Sequence, residues 1–234
     1  MAKNRSEIVI VVQARLASQR VPQKMVRPFV GTTLLDILFT KLTQLKSLPI
    51  EQVFVSAYDE PIKDIARNHG LQIFDRSEAS ALEEKDLPLI FEWHNKLPNQ
   101  YKYVITVSAC NPLLKIETID NFIQSFIDSD EPGAFGVIKK KTYYWDKNKD
   151  PITDWKDEPG MNTKYVDEVY EAAHCLYASR LDIIAEGYWM CKELPPKLEL
   201  FVVEELEAFD IDYEWQFRVG EKLYKEFGNP KEGE

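Results

Sequence analysis

Hydrophobic positions along the chain fall into short unbroken runs separated by helical stripes. Ile8-Val9-Ile10-Val11-Val12 is a β-branched run of strand length, the pattern of a strand buried on both faces. Leu34–Leu45 carries apolar residues at 34, 35, 38, 39, 42 and 45, a single helical stripe. A second strand is predicted over Gln52–Ser56. It is followed by a helix from about Glu60 to Asn68 that His69-Gly70 closes, Gly being the usual residue past a helix end. Leu71–Phe74, Tyr101–Val107 and Ala134–Ile138 read as further strands. Helices are expected over Leu87–Lys96 and Ile116–Ser129. Strand alternating with helix predicts an α/β fold, a Rossmann-like and mostly parallel sheet with helices on both faces.

The alternation stops after residue 138. Lys139–Lys164 contains Lys139-Lys140-Lys141, the polar run from Lys147 to Pro151, and four aromatics, Tyr143, Tyr144, Trp145 and Trp155. This stretch predicts an excursion from the sheet over about 139–172, inside one domain spanning 1–234. Its aromatics could be the core of a small subdomain, a dimer contact or a substrate wall. His174–Ala178 returns to the sheet, and a last helix is expected from Glu214 to about Phe227.

Composition narrows the class. The chain has 234 residues, 44% apolar and 29% charged, ordinary values for a globular protein. It has no apolar run of the roughly 20 residues that a membrane span needs and no signal-peptide pattern, so a cytoplasmic location is expected. Three dispersed cysteines, Cys110, Cys175 and Cys191, favour reduced thiols over a disulfide framework. A net charge of −10 argues against nucleic acid as a partner. Residues 1–46 hold eight lysines and arginines against two acids, so the N-terminal segment is locally basic on an acidic protein.

Most of that charge follows the first strand. Residues 14–24 read Ala-Arg-Leu-Ala-Ser-Gln-Arg-Val-Pro-Gln-Lys, placing Arg15, Arg20 and Lys24 in one loop. Ligands of α/β sheets bind at the carboxyl ends of the strands. Forked guanidinium donors and a lysine point charge suit a polyphosphate there, although a solvated basic loop would read the same. Near the other end, Asp210 and Asp212 flank Ile211. In extended backbone they share one face and could hold Mg²⁺ through oxygen ligands. Asp212 ahead of Glu214 could instead cap the last helix. Arg76 follows the third strand and is either a nucleotide contact or a surface arginine. His174 is either a substrate contact or a buried imidazole. Cys110 is read as a small apolar residue.

Taken together these residues resemble the CMP-sugar synthetases, the acylneuraminate and 3-deoxy-manno-octulosonate (KDO) cytidylyltransferases. Ala14, Arg15, Ser18, Arg20, Pro22 and Lys24 fit their A-R-x-x-S-x-R-x-P-x-K signature. Gly31-Thr-Thr-Leu-Leu-Asp resembles their first helix start, Val104–Leu114 their central strand and loop, and Phe209-Asp-Ile-Asp-Tyr-Glu their late metal motif. Two departures stand out. Ala109-Cys110-Asn111-Pro112 replaces a G-D-E-P segment that carries a metal-binding aspartate in KDO enzymes. Ala173-His174-Cys175-Leu176-Tyr177 replaces N-G-S-I-Y.

The resemblance implies transfer of CMP from CTP to an acidic 2-keto-3-deoxy sugar, with release of pyrophosphate, for surface polysaccharide or glycoconjugate synthesis. It implies nucleotide contacts at Ala14, Arg15, Ser18, Arg20, Lys24 and Arg76, catalytic roles for Arg15, Lys24 and Asp212, and Mg²⁺ on Asp210 and Asp212. Backbone near Ala14 would read cytosine. Lys164 or a lysine of 139–141 would face the sugar carboxylate, and the protein would be a homodimer. A sugar-nucleotide-dependent glycosyltransferase and a non-catalytic nucleotide-binding relative are the alternatives.

Overall fold

The computed structural model describes residues 2–153, 160, 162–186 and 198–228. Seven strands form one sheet in the order β3-β2-β1-β4-β6-β5-β7: β1 (Ile8–Gln13), β2 (Val53–Ala57), β3 (Gln72–Asp75), β4 (Tyr103–Val107), β5 (Ala134–Lys140), β6 (Val169–Arg180) and β7 (Glu199–Val202). β1 pairs parallel with β2 and β4, and β2 with β3. β6 lies antiparallel between β4 and β5. β7 adds parallel to β5. Only β6 is reversed, as a mostly parallel sheet allows.

The central strand β1 shows why the fold closes. Ile8, Val9, Ile10, Val11 and Val12 are all fully buried. Successive side chains point to opposite faces. Ile8, Ile10 and Val12 therefore pack under α1 (Leu34–Leu42), α2 (Glu60–Asn68) and α5 (Ile116–Asp128), through Leu35, Phe39, Ile62, Phe122 and Phe126. Val9 and Val11 face a second cluster with Phe91, Trp93, Leu97 and Ile184. Burying a large apolar side chain contributes about 1.5–3 kcal/mol, so a strand with two apolar faces commits both layers. Thr33 caps α1 by accepting the N–H of Asp36 at 3.0 Å. Gly70 ends α2 at φ +69°, where a Cβ would be strained.

Several elements differ from the sequence expectation. The helix expected over 87–96 is only α4 (Leu87–Ile90), followed by tight turns such as His94 N–H to Phe91 O and Lys96 N–H to Trp93 O. Phe91 and Trp93 are both buried, and residues two apart cannot share one helix face. A short α3 (Glu78–Leu82) and the edge strand β7 were not anticipated. The excursion begins and ends later and earlier than the 139–172 expected: β5 runs through Lys140 and β6 starts at Val169, because Lys139 and Lys140 still pair with Tyr170 and Val169. Trp155 and Cys191 lie outside the described residues. α6 (Glu214–Leu223) closes the fold, continued by a π turn over Tyr224–Gly228. Among the described residues, no helix is long and apolar enough to cross a membrane.

Candidate active site

The parallel strands β1 to β4 end at one edge of the sheet, and the loops that leave them build the site. The loop after β1 is fixed by its own apolar residues. Val21 and Phe29 are fully buried with Ile211 and Phe217, which ties this loop to the start of α6. The Leu16 N–H donates to Asp59 Oδ2 at 2.9 Å. Ala14 gives its N–H to Ser56 O at 3.1 Å, so that donor belongs to the sheet.

The loop cations reach the late acidic pair across almost the whole sequence. Arg20 Nη2 lies 2.8 Å from Asp212 Oδ1. Lys24 Nζ donates to Ile211 O at 2.7 Å and lies 3.5 Å from Asp212 Oδ1. Lys24 is buried. Burial alone would lower its pKa, but the Cys110 side chain and both aspartates outweigh it and hold the ammonium above its ordinary value. A hydrogen bond with Tyr213 and the charge of Asp212 raise the pKa of Arg20.

Asp212 is not the helix cap. The Gln216 side-chain oxygen accepts the N–H groups of both Asp212 and Tyr213, at 2.8 and 2.7 Å, and α6 is capped at Tyr213. The Asp212 carboxylate is therefore free to face the loop. Asp210 Oδ1 is buried with no hydrogen-bond partner. Burial, and then the charge of Asp212, push the Asp210 carboxyl up to about 6, against the opposing pull of Lys24, His174 and Arg20. A like charge beside it disfavours ionisation of the more buried carboxyl, here Asp210.

The acidic segment is pinned to the loop after β4. Ile211 N–H donates to Cys110 O at 3.0 Å, and Asn111 Nδ2 to Ala208 O at 3.1 Å. Buried Glu207 accepts the Lys115 N–H at 3.0 Å and pairs with its ammonium at 3.1 Å. Cys110 thus sits beside the carboxylate pair, within hydrogen-bonding reach of Lys24, and burial raises its pKa. It is a neutral thiol where the KDO-type motif has an acid.

His174 is presented by an irregularity. On β6, five steps from Ala172 to Tyr177 oppose two on β5 from Val137 to Phe135, and His174 takes φ +52°. Such a bulge re-aims side chains at the end of a strand. Because β6 is antiparallel, this bulge falls at the edge where Leu176 pairs with Val107. The exposed His174 Nδ1 lies 2.9 Å from the Tyr177 hydroxyl and acts electrostatically on Asp210. The buried imidazole alternative therefore does not hold. Burial raises the Tyr177 phenol above its ordinary pKa, leaving it a neutral donor.

Arg76 is not a surface residue. It is buried, donates from Nε to Ser80 Oγ at 2.8 Å and from Nη2 to Ser80 O at 2.6 Å, and is lowered to about 10, by burial first and then by the charge of Arg15. Arg15 and Arg76 share a cleft of about 490 Å³ with Gln13, Thr106, Ser108, Cys110 and Tyr177. Ser18 borders a second cleft of about 430 Å³ beside it, also lined by Arg15. A larger cavity, about 580 Å³ around Tyr101, Tyr103 and Arg180, lies at the opposite edge and holds none of these residues.

The lysines considered for the sugar carboxylate are not among the residues that line the two clefts beside Arg15. Lys139 pairs with Glu168 at 3.3 Å, Lys141 with Glu168 at 4.0 Å, and Lys140 with Glu205 and Glu171. The ammonium of Lys164 rests over the Tyr165 ring. Glu84 and Tyr177 were missed by sequence reading. Tyr177 follows His174 by three residues, a spacing that has no meaning in a regular strand.

The sequence profile of the cytidylyltransferase family matches residues 9–185. A 3-deoxy-manno-octulosonate cytidylyltransferase of Francisella tularensis subsp. holarctica is 29% identical over 191 residues, 80% of this chain and 68% of that protein. Spore coat polysaccharide biosynthesis protein SpsF of Bacillus subtilis is 26% identical over 131 residues, 53% of this chain and 51% of SpsF. A solved CMP:2-keto-3-deoxy-manno-octonic acid synthetase complexed with CTP superposes with TM-score 0.69 at 16% identity, over 94% of this chain and 99% of that one. A 4-diphosphocytidyl-2C-methyl-D-erythritol synthase from Anaerococcus prevotii gives TM-score 0.65 at 16% identity, over 94% and 97%. At such identities the superpositions speak for the fold.

Proposed function

The chain belongs to the cytidylyltransferase family, and from that premise we propose that it transfers CMP from CTP to a 2-keto-3-deoxy sugar acid and releases pyrophosphate. The observation that carries this reading is the convergence of Arg20 and Lys24 on Asp212, at 2.8 and 3.5 Å, on the edge where Arg15, Arg76 and His174 also lie. Cations for a polyphosphate and carboxylates for a metal then meet in one place.

In this reaction the anomeric hydroxyl of the sugar attacks the α-phosphorus. A new O–P bond forms, the bond from the α-phosphorus to the bridging oxygen breaks, that oxygen leaves with pyrophosphate, and the hydroxyl proton passes to solvent. Arg15, Ser18, Arg20 and Lys24 hold the β- and γ-phosphates and offset the charge that grows on the leaving pyrophosphate. Positioning and charge stabilisation provide most of phosphoryl-transfer catalysis. Arg76, braced by Ser80, faces the nucleotide in the cleft. His174 and Tyr177 offer polar groups to the sugar acid.

The residues fit Mg²⁺. Asp210 and Asp212 offer two carboxylates to an ion that takes one or two and completes its shell from phosphates and water. Asp210 and Asp212 would hold it, and the orphaned Asp210 oxygen is the open ligand. Bound there, the ion would offset charge on the α-phosphate and lower the pKa of the attacking hydroxyl.

The excursion between β5 and β6 carries exposed Trp145, Ile152 and Tyr165, a composition that supports a homodimer contact. The reaction is tested by pyrophosphate release from each nucleoside triphosphate with a panel of 2-keto-3-deoxy sugar acids. CTP with at least one sugar acid is expected to turn over. CTP binding without pyrophosphate release would instead identify a non-catalytic relative, and consumption of a sugar nucleotide a glycosyltransferase.

A further inference from the structure

Arg15, the first cation of the phosphate loop, is occupied. Its Nη2 pairs with Glu84 Oε1 at 2.8 Å, and its Nη1 donates to Ala81 O at 3.2 Å. Glu84 is held in position by its neighbour. Glu83 Oε1 accepts the N–H groups of Glu84, Lys85 and Asp86, at 2.9, 2.8 and 3.2 Å, which fixes a tight turn and presents the Glu84 carboxylate to Arg15. Arg15, Glu83 and Glu84 line both clefts described above, the one on the sheet edge beside Arg76 and the one beside Ser18. The Arg15–Glu84 pair is the partition between them.

We propose that Glu84 is a gate residue: an internal competitor that occupies Arg15 in place of a phosphate and separates the two clefts until a polyphosphate displaces it. The proposal rests on the CTP reading of the site. A carboxylate offers the guanidinium fork the same anionic oxygens that a phosphate does. A nucleotide spanning both clefts must take Arg15 from Glu84, and a ligand without phosphates cannot. The pair suits exchange. Its side chains are 32% and 54% exposed, and exposed ion pairs are worth little, so Glu84 can leave without unfolding the turn that Glu83 holds.

The test combines ligand binding with arginine reactivity. Titration calorimetry with CTP and with inorganic pyrophosphate compares the wild type, Glu84→Gln, Arg15→Ala and the double variant. Glu84→Gln is expected to bind both ligands about two- to five-fold tighter, the range of an exposed pair. That gain should vanish in the Arg15→Ala background and shrink at high salt. Cytidine should show no gain. Without ligand, phenylglyoxal should label Arg15 faster in Glu84→Gln, as mapped by mass spectrometry. Equal affinities in wild type and Glu84→Gln, or equal labelling of Arg15, overturn the gate even where CTP binds well. If CTP binds no better than other triphosphates, the cytidylyl reading fails, and a Glu84-dependent gain for pyrophosphate still supports the gate.

Discussion

Asp210→Asn should make the metal-free protein more stable while removing its activity. The Asp210 carboxyl is raised to about 6 from 3.8, by burial and by Asp212. Two units correspond to about 3 kcal/mol at neutral pH, an upper limit that partial exposure trims to about 1–3 kcal/mol. The sign follows from proton linkage. A carboxyl whose folded pKa exceeds its unfolded value binds more protons in the native state, so stability falls as pH rises between the two values. The penalty is absent below about 4 and complete above about 6. Asparagine keeps the shape and drops the charge. At about 2–4 °C per kcal/mol for a chain of this size, Asp210→Asn should melt about 2–12 °C higher at pH 7 in EDTA. The gap should close as pH falls through 6 towards 4, while Mg²⁺ narrows it by stabilising only the wild type. Differential scanning fluorimetry across pH, with and without EDTA, measures all of this. An unchanged melting temperature at pH 7, or a gap independent of pH, would refute the account of a strained carboxylate pair.

Four further outcomes are expected. Asp212→Asn should lower turnover by orders of magnitude with partial rescue by excess Mn²⁺, because α6 is capped at Tyr213 and not at Asp212; full activity in a pyrophosphate assay would remove the metal assignment. Arg15→Ala should cost about 10²-fold or more in rate, a usual loss for a charge-stabilising donor, with circular dichroism unchanged; near-normal turnover would exclude Arg15 from the phosphate site. Among the four triphosphates with Mg²⁺, CTP should raise the melting temperature most, and equal shifts would argue against cytidine recognition. Light scattering at micromolar concentration should give a dimer mass, and a monomer would favour the excursion as a substrate wall.

The sequence by itself determined the layered core and the location of the charges. An unbroken β-branched run can be satisfied only by burying both faces, so Ile8–Val12 commits the chain to a sheet covered on both sides before any contact is known. Arg15, Arg20 and Lys24 follow that run directly, and parallel topology sends the loop to the carboxyl edge of the sheet. The spacing of Asp210 and Asp212 puts both carboxylates on one face wherever the backbone is extended. What the sequence left open depends on partners distant along the chain. Whether Asp212 caps a helix or faces a cation was decided by Gln216 reaching back and Arg20 arriving from 192 positions away. Arg76 reads as a surface residue until Ser80 and the cleft enclose it. The turns after α4 overrode a helical stripe, because Phe91 and Trp93 both had to be buried. The His174 and Tyr177 pair exists only because antiparallel β6 bulges at the carboxyl edge of the parallel strands. Periodicity records which face of an element is apolar, a local property of consecutive residues. Register, bulges and ion pairs across the sheet follow from how separate elements dock, and only the folded chain fixes that.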